Sequence, residues 1–140
     1  MYIDELAEGQ SAEFSKTVTE ADVVLFAGIT GDLNPAHVDE VAASESPFGG
    51  RIAHGMLVAS FISTVLGMRL PGPGTIYLSQ SLRFTAPVRP GDTVTARVEV
   101  AELVPARRRA RLATTVRNQR GETVVEGEAT VMVPARPGPA

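Results

Sequence analysis

Three observations in the sequence predict an α+β domain in which a curved antiparallel sheet wraps one long central helix. The stretch Gly55–Arg69 is apolar on nearly every face, as expected of a helix buried all round. From Thr75 onward the hydrophobic period changes to two, the pattern of strands with one wet and one dry face. The chain has 140 residues, 44% of them hydrophobic, and no cysteine. That is enough for one core without a disulfide or metal staple.

The elements follow in order. Ala12–Thr17 alternates as a first strand. Thr19 then reads as an N-cap, with Asp22 in the first turn of a helix reaching about Ile29, which Gly28 weakens and Gly31 ends. The polar cluster Thr30-Gly31-Asp32-Leu33-Asn34-Pro35 is a turn, followed by a short helical segment from His37 to Ala43. After a loop over 44–51, helix Gly55–Arg69 spans about 22 Å and stops hard at Leu70-Pro71-Gly72-Pro73-Gly74. Four strands follow, Ile76–Ala86, Thr93–Val104, Arg109–Asn118 and Glu122–Val133, expected to run as a meander. Residues 1–134 form the domain, and 135–140 are expected to be a flexible tail.

Composition excludes several chemistries. Without cysteine there are no thiolate nucleophiles, CxxC redox pairs or cysteine zinc sites, and two histidines, His37 and His54, cannot build a histidine-rich metal cage. The N-terminus carries Asp4, Glu5 and Glu8 without an apolar run, so no signal peptide is expected and the protein is placed in the cytoplasm. No segment reaches the ~20 apolar residues of a membrane span. Residues 1–50 hold ten acids against the single Lys16, whereas 51–140 hold twelve arginines against six acids. A net charge of −3 and 5% aromatic residues argue against a nucleic-acid partner.

Few side chains remain for acid–base work. Asp32 and His37 lie five positions apart across a proline turn that can bring carboxylate and imidazole to one cavity. On spacing alone they can equally be turn and helix-start residues. Gly55 opens the apolar helix, where free N–H groups and the helix dipole suit an oxyanion and a glycine allows close approach. His54 can orient the loop. Ser60 is expected to bond back to a carbonyl one turn earlier. A serine-hydrolase elbow, a dinucleotide fingerprint and a phosphate loop are all missing.

Together, Phe26-Ala-Gly-Ile-Thr-Gly-Asp-Leu-Asn-Pro-Ala-His37 and Arg51-Ile-Ala-His-Gly-Met-Leu57 resemble the MaoC-like (R)-specific enoyl-CoA hydratases. The resemblance extends through Leu70-Pro-Gly-Pro-Gly-Thr-Ile-Tyr-Leu-Ser-Gln-Ser-Leu-Arg-Phe84 and Pro87-Val-Arg-Pro-Gly-Asp92. It implies a hotdog fold, a homodimer joined through a sheet edge, and reversible syn addition of water to a trans-2-enoyl-CoA, giving the (R)-3-hydroxyacyl-CoA. No metal or other cofactor is implied, and coenzyme A is part of the substrate. Asp32 and His37 would be the catalytic dyad; the sequence does not decide which of them takes the proton from water, and the expectation is Asp32 as base with His37 holding the water and delivering the proton at C2. Asn34 would position them, the Gly55 N–H would bind the thioester oxygen, and Ser63 would stand near the dyad. Arg107, Arg108 and Arg109 could meet coenzyme A phosphates, or be a solvated strand end. Leu66 or Val131 could limit acyl length, with short chains favoured. The resemblance leaves three alternatives: an acyl-carrier-protein dehydratase, a hotdog thioesterase, and a non-catalytic acyl-CoA-binding protein.

Overall fold

A computed structural model describes residues 1–138. Strand β1 (Ser11–Thr17) leads into helix α1 (Glu20–Thr30), short helices α2 (Pro35–Val38) and α3 (Glu40–Ser44), and the long helix α4 (Gly55–Met68). The rest is sheet: β2 (Ile76–Gln80), β3 (Arg83–Phe84), β4 (Thr93–Val104), β5 (Arg109–Arg117) and β6 (Thr123–Met132).

Local chemistry sets the helix ends. Thr19 accepts from the Asp22 N–H while the Asp22 carboxylate accepts from the Thr19 N–H, a reciprocal cap at the start of α1. Gly31 ends that helix at φ 81°, a left-handed conformation that favours glycine. The expected single helix after the turn is in fact two, because Asp39 leaves helical geometry and uses its carboxylate to cap the Ala42 N–H.

All six strands join one antiparallel sheet in the order β1-β4-β5-β6-β2, with β3 also on β6. Two corrections to the expected meander follow. The strand after α4 crosses over to pair with β6, Ile76 facing Met132, and only β4, β5 and β6 run as a meander. That strand is also broken in two at Ser81. The Ser81 carbonyl crowds Gly127 on β6 so closely that a β carbon there would lie 1.8 Å from its oxygen. Regular pairing resumes at Arg83, opposite Glu126.

Helix α4 supplies the centre of the core. Val58, Ile62, Val65 and Leu66 pack against Val94, Val98, Leu112, Val116, Ala129 and Val131 from the sheet. Alternation on β4 and β5 sends the opposite side chains outward, where Arg97 pairs with Glu13 and Glu99, and Arg111 with Glu102 and Glu128. Arg97 and Arg111 of the arginine-rich half are therefore committed to ion pairs on a solvated face, most of them across strands. Contrary to expectation, α4 is not enclosed all round: Met56 and Met68 are 57% and 70% exposed, and Ser60 and Ser63 share their open side. In the tail, Arg136 pairs with Asp4 and Glu5 and lies over the Tyr2 ring. Residues 139–140 of the expected tail lie outside the described residues. No helix among the described residues is long and apolar enough to cross a membrane.

Candidate active site

The loop between α1 and α2 is fastened at each of its polar residues. Thr30 donates its hydroxyl to the Phe26 carbonyl and accepts from the Asp32 N–H. Asp32 Oδ1 accepts from the Asn34 N–H, and Asn34 Oδ1 accepts from the Ala36 N–H as the cap of α2, with Pro35 at its first position. Asn34 thus shapes the backbone that carries His37.

His37, largely buried, bonds through Nδ1 to the Ile52 carbonyl at 2.8 Å. A carbonyl only accepts, so Nδ1 carries the hydrogen and Nε2 is left as the working nitrogen. The same segments are tied by the Ile52 N–H donating to the Ala36 carbonyl, and the Ala53 N–H to that of Val88. Val88 belongs to the turn ending at Asp92. Burial of Asp92 pushes its carboxyl upward, but bonds from the Arg89 N–H and Gln119 amide, with the charges of Arg120 and Arg89, hold it below the usual carboxylate range.

A carboxylate oxygen of Asp32 and one ring nitrogen from each of His37 and His54 lie within 4.8 Å of one another. One bridging water, with hydrogen bonds of about 2.8 Å, spans such a gap. By residue type the trio could hold a metal. However, the two imidazoles stack at 3.8 Å and 27°, so their in-plane lone pairs run side by side instead of converging on one point. His54 Nε2 is already engaged with the Asp32 carbonyl.

These groups open on a cavity of about 510 Å³ whose other walls are mostly apolar: Phe48 and Ile52 on one side, Phe84 and Val88 on another, Val124 and Val125 from β6. Gly55 lies at its edge as the first residue of α4. The N–H groups of Gly55 and Met56 have no carbonyl one turn earlier to donate to, and the helix dipole adds positive charge there. Phe84 packs so tightly on Gly55 that a β carbon would meet two of its ring atoms at 2.8 Å.

Asp32, His37 and Gly55 therefore come together, with Asn34 bracing the loop. Other expected residues do not join them within one chain. Ser63 is on the open face of α4, in a separate groove with Tyr77 and Leu78, because it sits more than two turns beyond Gly55. Arg107, Arg108 and Arg109 occupy the β4–β5 turn. Arg109 faces Met132, roughly 23 Å of strand away from Val116, which pairs with the cavity-lining Val125. Leu66 and Val131 are fully buried in the core and do not line the cavity. Phe84, Val124 and Val125 were given no role by the sequence; Phe84 alone had a usable signal, as the end of the Leu70–Phe84 stretch that carries the family resemblance. Ser60 bonds back to the Leu57 carbonyl, as expected.

Residues 4–125 match the family described as MaoC like domain. The chain is 58% identical over 135 residues to an (R)-specific enoyl-CoA hydratase of Rhodospirillum rubrum, covering 96% of this chain and 93% of that protein. It is 54% identical over 136 residues to a 3-hydroxybutyryl-CoA dehydratase of Methylorubrum extorquens, covering 97% and 86%. Among solved structures, the unliganded R-hydratase PhaJ1 from Pseudomonas aeruginosa superposes with a TM-score of 0.92 at 48% identity, covering 96% of this chain and 86% of that one.

Proposed function

The chain belongs to the MaoC-like family, and from that premise we propose that it is an (R)-specific enoyl-CoA hydratase, a hydro-lyase that adds water reversibly to a trans-2-enoyl-CoA. One observation carries the site assignment: Asp32 and His37 converge within reach of a single water, beside the free N–H of Gly55, in an otherwise apolar cavity.

The roles follow from the donors and acceptors. The thioester oxygen accepts from the Gly55 N–H at the start of α4, where charge developing on an enolate is stabilised most. Asp32 takes a proton from water, the hydroxide bonds to C3, and the C2–C3 π electrons move toward the thioester. In the starting state Asp32 is ionised and His37 is protonated on both nitrogens; held through Nδ1–H by the Ile52 carbonyl, His37 gives the Nε2 proton to C2 as the enolate electrons return to form the C2–H bond. Proton transfer from Asp32 to His37 then restores the starting state. Both groups work from one side of the cavity, which makes the addition syn and the product a single enantiomer. Neither a metal nor a redox group enters these steps.

The protein acts as a homodimer in the cytoplasm. Strand β2 is a sheet edge with Ile76 and Leu78 54% and 43% exposed, continuous with the open face of α4 at Met56, Ser60 and Ser63. A second copy laid along β2 extends the sheet and covers those side chains. Ser63 then belongs to the surface between copies.

The test is hydration of a chain-length series of trans-2-enoyl-CoAs by the purified protein, with chiral analysis of the product. (R)-3-Hydroxyacyl-CoA is expected; release of free thiol, or the (S) product, would overturn the reading.

A further inference from the structure

We propose that His54 is a positioning residue for this reaction: one buried ring that fixes the Asp32 loop, the plane of His37 and the start of α4 together. The inference rests on the reading of Asp32 and His37 as the reacting pair.

His54 is 2% exposed and its ring touches two others. It stacks on His37, with centroids 3.8 Å apart, and meets Phe26 of α1 at 4.9 Å, tilted by 57°. Its Nε2 is 3.0 Å from the backbone carbonyl of Asp32. Because a carbonyl only accepts, that nitrogen must carry a hydrogen. Holding the Asp32 carbonyl fixes the peptide from which the carboxylate projects. The stack fixes the tilt of the imidazole whose Nε2 must reach the same water. His54 is also the residue immediately before Gly55, so the N–H meant for the thioester oxygen is placed by the same backbone.

Filling space does not explain the choice of residue. His54 Nδ1 is buried with no hydrogen-bond partner among the described residues, an unfavourable arrangement for a polar group cut off from water. A leucine or phenylalanine would fill the site without that cost, since its other neighbour is the ring of Phe26. What they could not supply is the donor to Asp32. An imidazole kept despite an unsatisfied nitrogen is explained by what its other nitrogen does.

Three variants separate positioning from packing. His54→Leu removes ring and donor, His54→Phe keeps a ring without the donor, and His54→Gln keeps a donor at nearly the place of Nε2. With crotonyl-CoA, kcat is expected to fall about 10²-fold in His54→Leu, the scale set by misplacing reacting groups by an ångström. KM should stay within about threefold, because the apolar walls of the cavity, Phe48, Phe84, Val124 and Val125, are unchanged. His54→Gln should recover about tenfold of the lost kcat. If His54→Leu fails to fold, His54→Phe takes its place as the variant without the donor. The proposal is overturned if the donorless variant keeps kcat within about threefold of the parent, if the loss falls on KM alone, or if His54→Gln is no faster than the donorless variant. Asp32→Asn and His37→Gln are measured alongside. If both hydrate crotonyl-CoA at the parent rate, it is the assignment of the reacting pair that fails.

Discussion

The ring of Phe84 rests on the α carbon of Gly55, close enough that a β carbon would lie 2.8 Å from two of its ring atoms. Phe84 comes from the short strand β3 and is 51% exposed, so its ring is free to swing outward. Gly55→Ala should therefore lower activity far more than stability. The added methyl group and the shifted ring disturb the place of the thioester oxygen beside the helix N-terminus, and kcat/KM for crotonyl-CoA is expected to fall at least about tenfold with the melting temperature little changed. Paired kinetics and calorimetry check this.

Asp32→Asn and His37→Gln remove proton-transfer groups without removing packing volume. Each should reduce kcat by about 10²–10⁴-fold while circular dichroism and elution volume stay those of the parent. A variant that hydrates at the normal rate would exclude its residue from the chemistry.

Gly127 presents the opposite case from Gly55, because a β carbon there would meet the backbone carbonyl oxygen of Ser81, at 1.8 Å. A carbonyl cannot rotate away as a ring can. Gly127→Ala should destabilise the fold by roughly 3 kcal/mol or more, by forcing β2 and β3 off β6. Urea denaturation of the purified variant measures the loss.

Lys16 bonded to Asp22, reinforced by the Thr19 N–H, holds the Asp22 carboxyl below its ordinary value of 3.8. A carboxyl with a lowered folded pKa contributes stability that is fully present above the unfolded value and lost as pH falls through the folded one. Stability should therefore decline below about pH 4, and Asp22→Asn should flatten that decline while lowering stability at neutral pH. Denaturant midpoints from pH 7 to pH 2 give the comparison.

Replacing both Ile76 and Leu78 by glutamate puts charge on the open edge of β2. The parent is expected to elute as a dimer and the double variant as a monomer. An unchanged elution volume would rule out this edge as the joint between copies.

What the sequence made legible is what neighbouring residues decide. Thr19, Asp22 and Gly31 mark both ends of α1, and the period-two alternation from Thr93 to Val100 is the burial pattern of β4 up to the register shift before Glu102. The loop from Gly31 to His37 could be recognised because its residues bond chiefly to one another. The break at Ser81 could not be read locally, since its cause is Gly127 on a different strand. Nor could the open face of α4: Met56 and Met68 are apolar by type, and residue type does not separate a core from a surface awaiting a partner. Ser63 and Arg107–Arg109 were associated with the site by motif and charge, but helix rotation and strand length carry them away from it within the chain. His54 carried no local mark of its contact with two aromatic rings, which depends on α1 folding across it.

The crossover that pairs β2 with β6 also governs when this protein can first work during its synthesis. Ser11 finds its partner only at Glu99, and Ile76 only at Met132. A nascent chain that has already released Asp32, His37 and the whole of α4 from the ribosome still lacks Val124 and Val125, the far wall of the cavity. Until then the apolar face of α4 lacks the part of the sheet that β6 supplies, an interval in which a growing chain is prone to aggregate. Such long-range closure is also slow compared with local helix formation. Catalytic competence thus arrives with the translation of Thr123–Met132, late and all at once.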